Sequence, residues 1–355
     1  MKTNEVAFLG VTDMLALVNQ IGIESFVAEL AAEIQHDFIR WQSFDKTARL
    51  PAHSSAGVIE LMPTSDGSQY GFKYVNGHPG NPGLGLQTVT AFGVLSDVAS
   101  GYPLLLSEMT VLTALRTAAT SALAARALMS RSARCMAIIG NGSQSEFQAL
   151  AFKKLLGLNR LRLYDTDKSA SQKCAMNLDK LGFDITVCNS TAMAVQGADI
   201  ITTITADKQL AQILSDEMVA PGIHINAVGG DCPGKTELDP AILRRAEIFV
   251  EYTPQTRIEG EIQQLSPDHP VTPLWLVLAG SHPGRSDVQA ITVFDSVGFA
   301  IEDFSALRLV HRHLVAQSVH ERLDLVASPR DPKNLFGLLQ PQLMGAREEE
   351  HTGAQ

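Results

Sequence analysis

From Cys135 onward the chain alternates short apolar runs with amphipathic segments. CMAIIG precedes QSEFQALAFKKLLG, LRLYD precedes KSASQKCAMNLDKLG, and FDITVC, ADIITTIT, HINAVGG and EIFVE follow. Runs rich in β-branched residues, separated by stretches of helical period, predict βαβ units and a parallel sheet covered on both faces. The N-terminal third reads differently. Alternation at a period of two in GVIELMP and GFKYVNG, with the glycine-rich loop HPGNPGLGLQ, predicts antiparallel strands in an α+β region. After ITVFDSVGFAIED, the helical pattern ALRLVHRHLVAQSVHERL leaves the nucleotide-type region and packs back on the first.

The predicted fold class is therefore α/β. Residues 126–311 form a doubly wound Rossmann-type domain, and residues 1–125 with 312–345 form a discontinuous α+β domain. Residues 346–355 carry charge without apolar periodicity and read as a frayed tail. No internal repeat is visible.

Composition narrows the partners. Apolar residues make up 45% and charged residues 19% of 355, the balance of a globular chain. A net charge of -10 gives no general attraction for nucleic acid or anionic lipid, so small molecules are the expected partners. Cys135, Cys174, Cys188 and Cys232 lack metal-ligand spacing and read as reduced thiols of a cytoplasmic protein, with no metal site. The start, MKTNEVAFLG, lacks the features of a secretion signal, and no apolar run approaches the ~20 residues of a membrane helix.

Candidate chemistry starts at IIGNGSQSEFQAL, between a predicted strand and a predicted helix. Gly140 permits the tight turn and Gly142 a close approach of backbone to pyrophosphate; a helix starting near Ser143 offers free amides, with Ser145 in place of a third glycine. Asp165 ends the next strand, where a carboxylate bonds an adenosine ribose and repels a 2′-phosphate. This favours NAD over NADP, against the nearby cations Arg160, Arg162 and Lys168. In the first domain Arg49, Lys73 and Arg116 sit among apolar or small residues. An unpaired arginine in TALRTAATSALAARAL would be costly, and a bound carboxylate or phosphate would satisfy it. Glu60 either balances one of these cations or recognises a substrate amine. Asp231, after Gly229 and Gly230 at the carboxyl end of HINAVGG, either accepts a proton from a substrate ammonium or caps the Pro233-Gly234 turn.

NAVGGDCPGKTELD, with RTAATSALAAR, IIGNGSQSEFQ, DKTARLP and FKYVNGHP, resembles the ornithine cyclodeaminase and mu-crystallin family, from about Asp45 to beyond Phe299. The resemblance implies conversion of L-ornithine to L-proline and ammonia with NAD, in a homodimer built through the N-terminal domain. It implies that Arg49, Lys73 and Arg116 hold the α-carboxylate and that Asp231 contacts the α-amine. It further implies that Thr88, Arg116, Ser143, Gln144, Asp165, Thr205, Val228, Gly229, Gly230 and Lys235 contact the dinucleotide, and that Ser296 and Val297 close the nicotinamide and substrate pocket. An amino-acid dehydrogenase or ketimine reductase and a non-catalytic crystallin-like binder are the other readings.

Overall fold

The computed structural model describes residues 5–129, 132–206, 211–317 and 321–339; the predicted tail, 346–355, lies outside them. An eight-stranded parallel sheet runs in the order Asp184–Val187, Arg160–Tyr164, Cys135–Ile139, Ile200–Thr203, His224–Ala227, Ile291–Asp295, Ala246–Val250, Thr272–Pro273. All seven pairings are parallel. Every residue of Cys135–Ile139, Ile200–Thr203, His224–Ala227 and Ile291–Asp295 is buried, and these segments are apolar or β-branched apart from His224, Asn226 and Asp295, which are hydrogen-bonded inside. The order reverses between Cys135–Ile139 and Ile200–Thr203. At such a switch point the flanking loops part and leave a crevice at the carboxyl ends.

The second sheet also has eight strands. Its order is Glu321–Leu323, Val6–Leu9, Pro103–Glu108, Ala91–Asp97, Gln69–Gly77, Val58–Ser65, Asp45–Lys46, with Leu50–His53 also paired to Val58–Ser65. One pair departs from the antiparallel expectation: Val6–Leu9 runs parallel to Pro103–Glu108. Along Val58–Ser65, Glu60, Met62 and Thr64 face inward while Ile59 and Leu61 are exposed; Gly71, Lys73 and Val75 are the inward set of the next strand. Two charged residues, Glu60 and Lys73, thus occupy a face whose period demands apolar side chains.

Two helices join the sheets. Thr110–Leu128, rich in alanine and buried for most of its length, packs on Ser145–Leu156 and on Ile23–Ile39. Its small residues allow close contact on several sides. Ala300–Gln317 crosses the inner face of the second sheet and packs on Ile23–Ile39. Asp37, fully buried, fixes that last contact: it accepts from Ser305 Oγ at 2.7 Å, Arg308 Nη1 at 2.8 Å and Arg40 Nη2 at 2.7 Å. Removing one member of a buried charge group leaves the others uncompensated. Asp37→Ala is therefore expected to lower unfolding free energy by about 3 kcal/mol. Urea denaturation measures it, and a loss below about 0.5 kcal/mol would show the group to be an ordinary surface pair.

Candidate active site

A cleft of about 540 Å³ lies between the carboxyl ends of the parallel sheet and the inner face of the second sheet. Its floor begins at the glycine loop. Gly140 has φ 93°, and a Cβ there would lie 2.8 Å from the Ile204 carbonyl oxygen, so only glycine lets the two central strands part this closely. A Cβ on Gly142 would meet nothing within 4 Å. The helix begins at Ser145, two residues later than the sequence suggests, and Gln144 provides no side-chain cap, which leaves amides of its first turn open. Ser145 Oγ donates to Gly142 O at 2.9 Å and Asn141 N to Asp165 Oδ2 at 2.6 Å, so the loop is pinned on both sides. Asp165 stands beside the loop at the cleft rim. Arg162 is turned away, donating to Met193 O and Ala194 O, and Arg160 pairs with Asp184.

The opposite wall carries Arg49, Lys73 and Arg116, their side chains 7, 1 and 6% exposed. The sequence presents Arg116 as a buried cation in need of a ligand; in the fold it already has partners. Arg116 Nη1 is 2.6 Å from Glu302 Oε2, and its Nε is 3.0 Å from Asp303 Oδ1. Lys73 Nζ is 2.9 Å from Asp303, and Arg49 meets Glu60 Oε2 at 3.0 Å and Glu259 Oε2 at 3.1 Å. Arg49 also donates to the carbonyls of Val297 and Gly298. Three cations therefore face four carboxyls. Burial pushes Glu302 and Glu259 up to about 7, against the opposing pull of Arg116 and Arg49. Arg49 Nε and Arg116 Nε are within ion-pair distance of their carboxylates yet make no aligned hydrogen bond, which leaves donor capacity in the array.

Asp231 follows the strand His224–Ala227 after Val228, Gly229 and Gly230. Val228 N and Gly229 N both donate to Thr203 O, which holds the strand's exit against its neighbour. The family resemblance implies that both glycines contact the dinucleotide; the structure adds a second reason for glycine here. A Cβ on Gly229 would fall 2.0 Å from Glu237 Oε1, and one on Gly230 would fall 2.8 Å from Glu261 Oε1. Those buried carboxyls brace the loop from behind. Glu237 accepts from Thr205 N at 2.8 Å and from its hydroxyl, and Glu261 accepts from Glu237 N at 2.7 Å and Leu238 N at 3.0 Å. The Asp231 side chain, 53% exposed, opens to the cleft and pairs with Lys235 Nζ at 3.2 Å. Gly234 N is met by Gln263 Oε1 and Lys235 N by Cys232 O, so the turn does not consume Asp231 as its cap.

Ser296, Val297 and Gly298 close the end of the cleft. Glu251, buried and pushed up to about 7 by desolvation, accepts from Ser296 Oγ at 2.7 Å, Gly298 N at 3.1 Å and Val297 N at 3.3 Å. Gly298 has φ 76°, and a Cβ there would lie 2.6 Å from Arg116 Nη1. Thr88 enters from a loop tied at its base by Asn76, whose Oδ1 accepts from Thr90 N at 2.7 Å.

Arg49, Glu60, Lys73, Thr88, Arg116, Gly142, Ser143, Gln144, Thr205, Val228, Gly229, Asp231, Lys235, Ser296 and Val297 thus line one cleft, while Gly140, Asp165 and Gly230 stand behind or beside it. Sequence reasoning missed Glu302, Asp303, Glu259 and Glu251. The rule that singled out Arg116 applies equally to AIEDFSAL, where two acids interrupt an apolar run.

The fold and site define a Rossmann-type nucleotide-binding protein with a second, cation-lined wall facing its switch point. The chain belongs to the ornithine cyclodeaminase/mu-crystallin family, whose profile matches residues 11–318. It is 64% identical to an ornithine cyclodeaminase of Brucella suis over 336 residues, 95% of this chain and 94% of that one. Among solved structures it is similar to a lysine cyclodeaminase described as recognising L-lysine, L-ornithine and L-2,4-diaminobutyric acid, at 29% identity and TM-score 0.88, over 93% of this chain and 98% of that one. It is also similar to an archaeal alanine dehydrogenase dimer with bound NAD, at 27% identity and TM-score 0.82, over 91% and 100%.

Bracing by Glu237 makes the Asp231 loop intolerant of bulk. Gly229→Ala is expected to cost about 1–3 kcal/mol of stability, read by thermal unfolding; an unchanged melting temperature would mean that the loop yields freely.

Proposed function

We propose that this protein is an NAD-dependent cyclodeaminase that converts L-ornithine to L-proline and ammonia. One observation carries the reading: a half-exposed carboxylate, Asp231, shares a single cleft with an open glycine loop and a buried array of three cations. The family membership and the 64% identity to an ornithine cyclodeaminase support the choice of substrate.

The residues present suit a dinucleotide. The open space at Gly142 and the uncapped helix start suit a pyrophosphate held by Ser143 and Gln144. Asp165 suits an adenosine ribose, and the engagement of Arg160 and Arg162 elsewhere leaves less to attract a 2′-phosphate, which supports NAD. Gly140 shapes the turn, while Thr88, Arg116, Thr205, Val228, Gly229, Gly230, Lys235 and Ser296 would contact the remainder. When bound, the nicotinamide supplies the redox chemistry, taking hydride from Cα of L-ornithine and returning it after cyclisation, with no net oxidation.

The chain's own residues do the rest. Arg49, Lys73 and Arg116 hold the α-carboxylate, Arg116 through its planar fork. Asp231 takes a proton from the α-ammonium, because Cα can be oxidised to an iminium only when the nitrogen lone pair is free. The wall at Ser296 and Val297 excludes water, which would otherwise hydrolyse the imine. Within that enclosure the substrate's δ-amine adds to Cα, ammonia departs, and a five-membered ring results; fixed geometry favours this step over release.

Two features support the surroundings of the reaction. Cys135, Cys174 and Cys188 are buried free thiols, as suits a reducing cytoplasm. Ile59, Leu61, Tyr70 and Phe92 expose an apolar outer face on the second sheet, with Tyr74 stacked on Phe92 at 4.9 Å, and a second copy of the chain would cover it. Phe92→Asp is expected to shift sedimentation from dimer toward monomer; an unchanged dimer would place the interface elsewhere.

Incubating the protein with L-ornithine and a trace of NAD+ tests the main reading. Proline and ammonia should rise one to one, far beyond the NAD+ supplied, without NADH; NADH accumulating with product would instead mean an amino-acid dehydrogenase, and no product would leave a binding protein. Asp231→Asn keeps the shape and removes the base, so kcat should fall by about 10²–10⁴ with NAD affinity retained. Unchanged turnover would remove Asp231 from the chemistry.

A further inference from the structure

The helix Ala300–Gln317 begins directly behind the Ser296–Gly298 wall, and its first turn brings Glu302 and Asp303, 0 and 1% exposed, into the core. The Asp303 carboxylate meets Lys73 Nζ with both oxygens at 2.9 Å and lies 3.0 Å from Arg116 Nε. Lys73 comes from the strand Gln69–Gly77 and Arg116 from the helix Thr110–Leu128, so one carboxylate joins two cations carried by independent elements. Among the described residues Asp303 is the one hydrogen-bond acceptor for Lys73 Nζ.

Lys73 needs that partner. Burial and the neighbouring Arg116 push its ammonium down to about 8, Asp303 opposes them, and Arg49 adds further repulsion. The residues beside Lys73 on the adjoining strands, Met62 and Gly93, carry no charge. Glu302 is occupied with Arg116. Asp303 is thus the group that favours the charged form of Lys73, and its Oδ1 also lies within ion-pair distance of Arg116 Nε.

We propose that Asp303 is a positioning residue for the amino-acid site, fixing Lys73 as an ammonium and setting the Arg116 guanidinium beside it, so that the two present one surface to the substrate α-carboxylate. The inference rests on reading this cleft as an amino-acid site. Without Asp303, Lys73 would be neutral over part of the working pH range, and a neutral amine cannot replace a charge-assisted bond to a carboxylate.

Lysine labelled with 13C at Cε allows the titration of Lys73 to be followed by NMR, its resonance assigned as the one missing from Lys73→Arg. In the wild type Lys73 should titrate near 8. In Asp303→Asn the midpoint should move down by about 1–3 pH units. The pH at which KM for L-ornithine rises should move with it, giving a KM roughly 10- to 100-fold higher at pH 7.5. An unmoved Lys73 titration, or one that moves without the KM profile, would overturn the proposal, since a salt bridge of packing value alone changes stability and neither profile. If Asp303→Asn does not fold, Lys73→Arg decides: its guanidinium keeps its charge, so the rise in KM near pH 8 should vanish, and its persistence would count against the proposal. Failure of the wild type to turn over L-ornithine would defeat the substrate reading, while the Lys73 titration would still test the role of Asp303.

Discussion

A buried charge must be met by an opposite charge or by a ligand, and the architecture around the cleft follows from that constraint. Arg49, Lys73 and Arg116 come from the second sheet and the helix leaving it. Glu60 meets Arg49 from the same sheet, but the other partners come from elsewhere: Glu259 from beside the parallel sheet, Glu302 and Asp303 from the helix Ala300–Gln317. The ion pairs therefore tie the two sheets together across the site. Displacement of any one element would strand a charge in the core, so the positions of the cleft walls are strongly determined.

The same array makes the site adaptable to an anion. Four carboxyls against three cations would leave no attraction for a substrate carboxylate if all were ionised. Burial raises Glu302 and Glu259 to about 7, which allows protons to be taken up as the anion enters. Asp231 is different in kind. Its half-exposed side chain stands on a loop braced by Glu237 and Glu261, so a flexible-looking GGD segment holds its carboxylate over the cleft with little freedom. Rigid support behind an accessible group is the arrangement that general base chemistry needs.

Much of this was legible in the sequence because period and burial speak directly about backbone. Strands such as CMAII and HINA, buried on both faces, announced the parallel sheet, and the loop from Gly140 to Gln144 was legible as the turn between a strand and a helix. Cations in small or apolar surroundings were conspicuous for the same reason. Their carboxylate partners were not, because pairing is a property of three-dimensional contact: Asp303 meets Lys73 across 230 positions of chain. The parallel pairing of Val6–Leu9 was hidden too, since a four-residue apolar run says nothing about its neighbour's direction. Gly229 and Gly230 were read for the ligand side of the loop alone, and only the fold reveals the carboxyls packed behind them.

In the proposed reaction one cleft holds substrate and cofactor together from the first chemical step to the last. L-Ornithine carrying deuterium at C2 gives a direct test, with unlabelled NAD+ and unlabelled NADH both in excess over the protein and mass spectrometry of the proline formed. The account predicts proline that retains the deuterium at C2, because the same hydride leaves and returns without exchange. Proline lacking the label, with deuterium accumulating in the NADH pool, would contradict it.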